Sequence, residues 1–244
     1  MRRIFEISGE DRIGFLNGLI TQDVPDAGLG YAALLTPQGK YLSDFFLWQN
    51  GESVFLDVAE IQADDLMRRL TMYRLRAKVE ISESALSVSR GTGSMPEGAL
   101  SDPRDAAMGW HLYGDGSHSD STDWDALRVA HVIPEAGAEL IVGESYILEH
   151  GFERLNGVDF RKGCFVGQEI VARMKHKTTL RKGLVQVRID GPAEPGAEIT
   201  AGGKSVGTLH TISGDKALAY VRFDRMTGEM RAGEALVFAP ENAH

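Results

Sequence analysis

The only cysteine of this 244-residue chain, Cys164, lies in the stretch "RKGCFVGQEIVARMKHK" at residues 161–177. A thiolate is both a nucleophile and a metal ligand, and a neighbouring cation or a helix N-terminus favours it over the thiol. Lys162 supplies the cation, and a helix predicted to begin near Gly167 supplies the N-terminus. Gly163 and Gly167 allow tight backbone that would expose the sulfur. These residues predict a reactive thiol, although a lone cysteine is often a small buried hydrophobe instead.

The sequence contains none of the common motifs for a disulfide, a metal site or a nucleotide site. A single cysteine cannot close an intramolecular disulfide or build a Cys-x-x-Cys site. The seven histidines contain no His-x-His or His-Glu-x-x-His pair, and no Gly-x-Gly-x-x-Gly or Walker-type loop is present. We therefore expect no metal bound by this chain alone, so that metal chemistry would need ligands from a partner.

The charge balance bears on possible partners and location. A net charge of -9 argues against general affinity for nucleic acid or an anionic membrane. Residues 161–188 nevertheless hold eight Lys or Arg against one acid, which keeps an RNA-binding module open as an alternative to a solvated basic face. The sequence contains no apolar run long enough to span a bilayer, and "MRRIFEISGEDR" has no secretory h-region, so we expect a cytoplasmic protein without membrane contact.

The secondary-structure pattern alternates between short strands and helices. The segments "IFEIS", "YAALLT", "YLSDFFLWQ" and "ESVFLDVA" read as strands, and Ser8 with Asp11 predicts a capping box at the start of a helix. A second helix is predicted in "AEIQADDLMRRLTMYRL". Beyond Leu180, short strands separated by glycine-rich turns predict a small antiparallel β-barrel.

Several motifs together resemble one family. "KGCFVGQE" resembles the signature of the YgfZ family of folate-binding iron–sulfur protein maturation factors. "GFLNGLITQDV", "LLTPQGKYLSDFFL", "YRLRAKVEI", "DPRDAAMGW" and "VGTLHTISGDKALAYVRF" continue the resemblance in the same order over nearly the whole chain. The family is similar in fold to aminomethyltransferase, the folate-dependent T-protein of glycine cleavage.

This resemblance implies an α+β protein with two domains. Residues 1–180 would form an aminomethyltransferase-like folate-binding domain, and residues 181–244 a C-terminal β-barrel. The implied function is a tetrahydrofolate-binding accessory factor that assembles, matures or repairs iron–sulfur clusters. Its implied partners are folate and client iron–sulfur proteins or cluster-assembly proteins.

The resemblance also implies a set of site residues. Cys164 would react and Lys162 would activate it, within a KGC-x-x-GQE loop whose remaining motif residues are Gly163, Gly167, Gln168 and Glu169. Four side chains would line the folate cleft: Asp23, Asp44, Glu149 and Arg173.

Two departures from the transferase bear on the activity that the resemblance implies. The chain has Ser43 and Asp44 where aminomethyltransferase carries paired acids, and Ala130 where that enzyme has its pterin-binding glutamate. These differences favour an accessory role over aminomethyl transfer. A folate-dependent one-carbon transferase or demethylase using Asp44 as its acid or base remains the alternative.

Overall fold

The computed structural model describes residues 1–114 and 121–239. Its first sheet has five antiparallel strands: β1 (Arg2–Ser8), β2 (Gly30–Leu35), β3 (Tyr41–Asn50), β4 (Ser53–Ala59) and β5 (Glu80–Glu83). They lie in the order β2-β3-β4-β1-β5. Short turns join β2 to β3 and β3 to β4, as the hairpin punctuation of the sequence predicts.

Both faces of this sheet are buried. Helices α1 (Arg12–Asn17) and α2 (Glu60–Arg74) cover one face, where Ala32 and Leu34 of β2 pack. The alternate residues Tyr31, Ala33 and Leu35 belong to a second core on the opposite face. Burial on both faces explains why these strands read as nearly continuous apolar runs.

A smaller sheet and two further helices complete the first part of the chain. Strands β6 (Ser87–Gly91), β7 (Leu100–Ser101) and β8 (Trp110–Gly114) pair in the order β6-β8-β7, and helices α3 (Trp124–His131) and α4 (Gln168–Lys177) follow. The ring of Trp48 on β3 stacks on that of Tyr113 on β8, with 3.8 Å between ring centroids. This contact joins the smaller sheet to the second core.

The last six strands close into a barrel. They are β9 (Lys182–Asp190), β10 (Glu198–Ala201), β11 (Lys204–Ser213), β12 (Lys216–Arg222), β13 (Met230–Ala232) and β14 (Ala235–Phe238), in the order β10-β11-β12-β9-β14-β13. Their inward side chains form a core of their own. The predicted α+β fold with a terminal antiparallel barrel is confirmed. Residues 240–244 of the expected second domain lie outside the described residues.

Helix α3 connects the barrel to the first part of the chain. The Arg128 guanidinium donates to Glu139 at 2.9 Å and to the hydroxyl of Thr211 on β11 at 2.8 Å. That hydroxyl also donates to Glu139 at 2.5 Å, so one buried carboxylate joins both sides of the interface. Across the described ranges, no helix is long and apolar enough to cross a membrane.

Candidate functional site

The loop that carries Cys164 is fixed by two buried neighbours. The Lys162 side chain points inward, and its Nζ donates to the carbonyl oxygens of Asn17 at 3.0 Å, Ile20 at 2.7 Å and Gln22 at 3.1 Å. Phe165 is also buried and joins the second core. Cys164 lies between these two anchors and is exposed. The fold therefore presents the thiol at the surface on an anchored backbone.

Lys162 has a different environment from the one expected of an activating cation. Three backbone carbonyls occupy its three donors, and the Asp23 carboxylate lies 3.4 Å from its Nζ. Burial lowers the pKa of Lys162 from its ordinary value, against the opposing effect of Asp23. The geometry makes Lys162 an anchor that ties the cysteine loop to the end of α1.

Close backbone contact fixes the other end of the loop. Gly167 has a φ of 85°, and a Cβ built there would lie 2.7 Å from the carbonyl oxygen of Thr36. A Cβ on Gly39, in the β2–β3 turn, would lie 2.9 Å from the Cβ of Ile170 on α4. The two glycines therefore let the hairpin turn and the N-terminus of α4 pack against each other.

The remaining motif residues have mixed surroundings. Gln168 begins α4, and its Nε2 donates to the carbonyl oxygen of Gly163 at 3.5 Å, a long contact. Glu169 is exposed in the first turn of α4, where a carboxylate complements the helix dipole. A Cβ on Gly163 would meet nothing within 4 Å, so the exposed side of the loop is open.

A cavity of about 740 Å³ lies between the first part of the chain and the barrel. Glu149 lies on its wall and accepts a hydrogen bond from the hydroxyl of Tyr220 on β12 at 2.5 Å. The Tyr220 ring stacks on His150, with 5.2 Å between ring centroids. Burial and the nearby Glu149 carboxylate both raise the pKa of Tyr220, so its hydroxyl remains a donor.

Charged side chains of both signs line the same cavity. Its cations are Lys40, Arg181, Lys182 and Arg222, its acids besides Glu149 are Glu139 and Glu144, and Met174 of α4 contributes an apolar wall. Lys40 directly follows Gly39, which packs on α4, so the cavity begins beside the helix that follows the cysteine loop. Arg181 and Lys182 belong to the basic strip of residues 161–188 that is visible in the sequence, whereas the cavity that they line was not predicted.

Asp44 does not line this large cavity. Its carboxylate accepts hydrogen bonds from the hydroxyls of Tyr31, at 3.0 Å, and Tyr41. It borders a separate cavity of about 20 Å³, which four arginines also line: Arg2, Arg90, Arg104 and Arg128. A space of that size holds about one water molecule.

The four expected folate residues therefore do not line one cleft. Glu149 lines the large cavity, and Asp44 lines the small one. Asp23 lies beside Lys162, and Arg173 is exposed on α4. Of the four, Glu149 lines a cavity large enough for a folate.

The basic strip is not a continuous cationic face. Lys162 is buried, Lys175 pairs with Glu153 at 2.5 Å, and Arg161 pairs with Asp159 at 3.4 Å. Residues 1–114 and 121–239 contain no group of three or more His, Cys, Asp or Glu that could hold a metal ion. A metal centre involving Cys164 would therefore require ligands from elsewhere.

The chain has an aminomethyltransferase-like fold. An aminomethyltransferase of the glycine cleavage system from Bartonella henselae superposes with a TM-score of 0.76 and 13% identity, covering 100% of this chain and 84% of that one. At that identity the likeness establishes the fold alone. Residues 181–243 match the family description "CAF17, C-terminal beta-barrel domain".

Curated relatives identify the family. The human protein named "Iron-sulfur cluster assembly factor IBA57, mitochondrial" is 31% identical over 282 residues, covering 96% of this chain and 79% of the relative. The mouse protein of the same name is 29% identical over 280 residues, covering 94% and 78%. The chain belongs to the IBA57 family of iron–sulfur cluster assembly factors.

These relatives correct the expected location. We predicted a cytoplasmic protein, and that prediction is wrong: the relatives that match most of this chain are named mitochondrial proteins. The reasoning failed because a missing secretory h-region and a single cysteine argue only against a secreted, disulfide-bonded protein. Neither observation separates the cytoplasm from an organelle.

Proposed function

We propose that this chain acts in iron–sulfur cluster assembly, with Cys164 as its reacting thiol in a YgfZ-type KGC-x-x-GQE loop. One observation carries the proposal: the only cysteine of the chain is exposed between two buried anchors, Lys162 and Phe165. A core cysteine would pack inward, and a cysteine on an unanchored loop would lack a defined position. This arrangement supports a thiol that a partner protein can reach.

The chemistry of clusters determines what one thiol can do. Iron–sulfur clusters are commonly held by four cysteine thiolates. Cys164 can supply one ligand, so the others must come from a client or an assembly protein. We propose that the partner's cysteines leave one iron with an exchangeable water ligand. The Cys164 thiol then releases its proton to solvent, and its sulfur replaces that water while the partner still holds the cluster. The cluster is therefore cargo shared at an interface.

Gene replacement tests this function in cells. Cells carrying Cys164→Ser or Cys164→Ala should lose most activity of their iron–sulfur enzymes, with normal amounts of the folded protein. Gly163→Ala is the matched control, since a Cβ there meets nothing within 4 Å and the thiol remains. Full enzyme activity with Cys164→Ala would contradict the proposal.

We also propose that reduced folate binds the large cavity between the two parts of the chain. Its volume of about 740 Å³ lies within the usual range for small-molecule sites. The Glu149 carboxylate suits the donor edge of a pterin, and Lys40 and Lys182 suit the glutamyl carboxylates. The transferase alternative would need Asp44 to reach the folate, and the small cavity beside Asp44 supports no such contact.

Calorimetry with tetrahydrofolate tests this binding. Glu149→Gln should weaken binding about tenfold, because the neutral amide loses a charge-assisted acceptor. Asp44→Asn is the control and should leave the affinity nearly unchanged. No saturable binding at millimolar tetrahydrofolate, or a larger effect from Asp44→Asn, would contradict the folate proposal and leave the role of Cys164 unaffected.

A further inference from the structure

The turn that follows α2 has an unusual backbone at an exposed leucine. Leu75 has a φ of 43° and a ψ of -103°, and its side chain is 88% exposed. The N–H of Ala77 donates to the carbonyl oxygen of Arg74 at 2.8 Å and closes the turn. A positive φ is uncommon in residues other than glycine and is costly for a bulky side chain.

Folding does not explain a leucine at this position. Its side chain buries almost no surface, so it contributes little to the core. Glycine would adopt the same backbone without strain. Met72, three residues earlier in the last turn of α2, is 60% exposed. Two large apolar side chains therefore extend into solvent from one helix end.

The surrounding charges indicate what could cover this end. Among the described residues, neither Arg74 nor Arg76 has an ion-pair partner, whereas Lys78 is paired with Glu10. Leu75 also borders a groove of about 380 Å³, lined by residues 8–9 and 74–80. The surface thus combines an apolar tip, two uncompensated guanidinium groups and an adjoining groove.

We propose that residues 72–76, the α2 tip, form a docking surface for an acidic segment of a partner protein. An apolar side chain of that segment would pack on Leu75, and its carboxylates would pair with Arg74 and Arg76. This inference does not depend on the role of Cys164.

Charge arguments disfavour two other occupants. A symmetric contact with a second copy would bring the arginines of one tip against those of the other. A flat anionic membrane would also meet Glu80 on the groove wall, whereas a narrow acidic segment can contact the tip alone.

Site-specific photo-crosslinking followed by an affinity measurement tests the proposal. A photoreactive residue at position 75 of the full chain should capture a protein in cells, and one at the exposed Met95 should not. The captured protein is then purified and titrated against variants. Leu75→Gly should weaken its binding about 30-fold, as expected for one buried hot-spot side chain. Arg74→Glu combined with Arg76→Glu should also weaken it, and Cys164→Ser should leave it unchanged.

The melting temperature of Leu75→Gly shows whether any loss of binding comes from docking or from a folding defect. Because glycine relieves the positive φ, this variant should melt at the same temperature as the wild type or up to about 4 °C higher. Any of four results would overturn the proposal: no protein captured specifically at position 75, unchanged affinity with Leu75→Gly, binding through this tip to phosphatidylglycerol vesicles, or self-association that Leu75→Gly abolishes.

Discussion

Replacing Lys162 with methionine should destabilise the protein and release the cysteine loop. The variant keeps an apolar stem of similar length and removes the ammonium group that donates to three carbonyls at and just after the end of α1, at 2.7–3.1 Å. Hydrogen bonds to charged groups contribute about 1.5–3 kcal/mol each, and carbonyls left buried without partners add to the cost. Desolvation of the buried ammonium, which lowers the pKa of Lys162, offsets part of that sum.

We therefore expect Lys162→Met to lower the free energy of unfolding by about 2–4 kcal/mol. Denaturant unfolding of the purified chain measures this change. Lys175→Met is the matched control, because Lys175 forms one exposed ion pair with Glu153 and such pairs contribute at most about 1 kcal/mol. A Lys162→Met variant within about 0.5 kcal/mol of the wild type would refute the anchoring role.

Further predictions concern the close contact at α4 and the buried histidines. Gly167→Ala should lower the melting temperature by several degrees, because a φ of 85° is strained for alanine and the new Cβ would lie 2.7 Å from the Thr36 carbonyl oxygen. The control Gly163→Ala should change the melting temperature by less than about 1 °C, because its Cβ meets nothing within 4 Å. Burial lowers the pKa of His111 and His150 from the ordinary value of 6.5, so the unfolded chain takes up protons first as the pH falls. The contribution of these two neutral histidines to the free energy of unfolding should be complete above about pH 7.5. It should be lost as the pH falls below 6.5 toward their folded-state pKa values. Melting curves recorded from pH 8 to pH 5 measure this loss of stability, which should be smaller in the His150→Asn variant. A melting temperature that does not change over this pH range would contradict the prediction.

The sequence predicts the fold well because its signals are local. Strand alternation and glycine turns lie within single segments, so the barrel after Leu180 could be recognised without tertiary information. The same holds for the cysteine loop, where Gly163 and Gly167 favoured an exposed sulfur. Cys164 is exposed in the structure.

The surroundings of individual polar groups could not be predicted in the same way. The carbonyls that hold Lys162 come from residues 140–145 positions away. Asp11 forms no side-chain cap on α1, because its carboxylate instead accepts the backbone N–H of Lys78 at 2.8 Å. The arginines around Asp44 come from four separate segments. Such contacts depend on tertiary packing, which leaves no periodic signal in one sequence.

The central claim is that Cys164 is the thiol through which this chain acts in cluster assembly. Its most direct test is reactivation of a purified iron–sulfur enzyme from its apo form, under anaerobic conditions, with ferrous iron and a cysteine desulfurase as the source of sulfur. The wild-type chain should accelerate the recovery of enzyme activity. Cys164→Ser, and wild-type protein alkylated beforehand with N-ethylmaleimide, should leave the rate at that of the reaction without the chain. Equal acceleration by Cys164→Ser and the wild type would contradict the account.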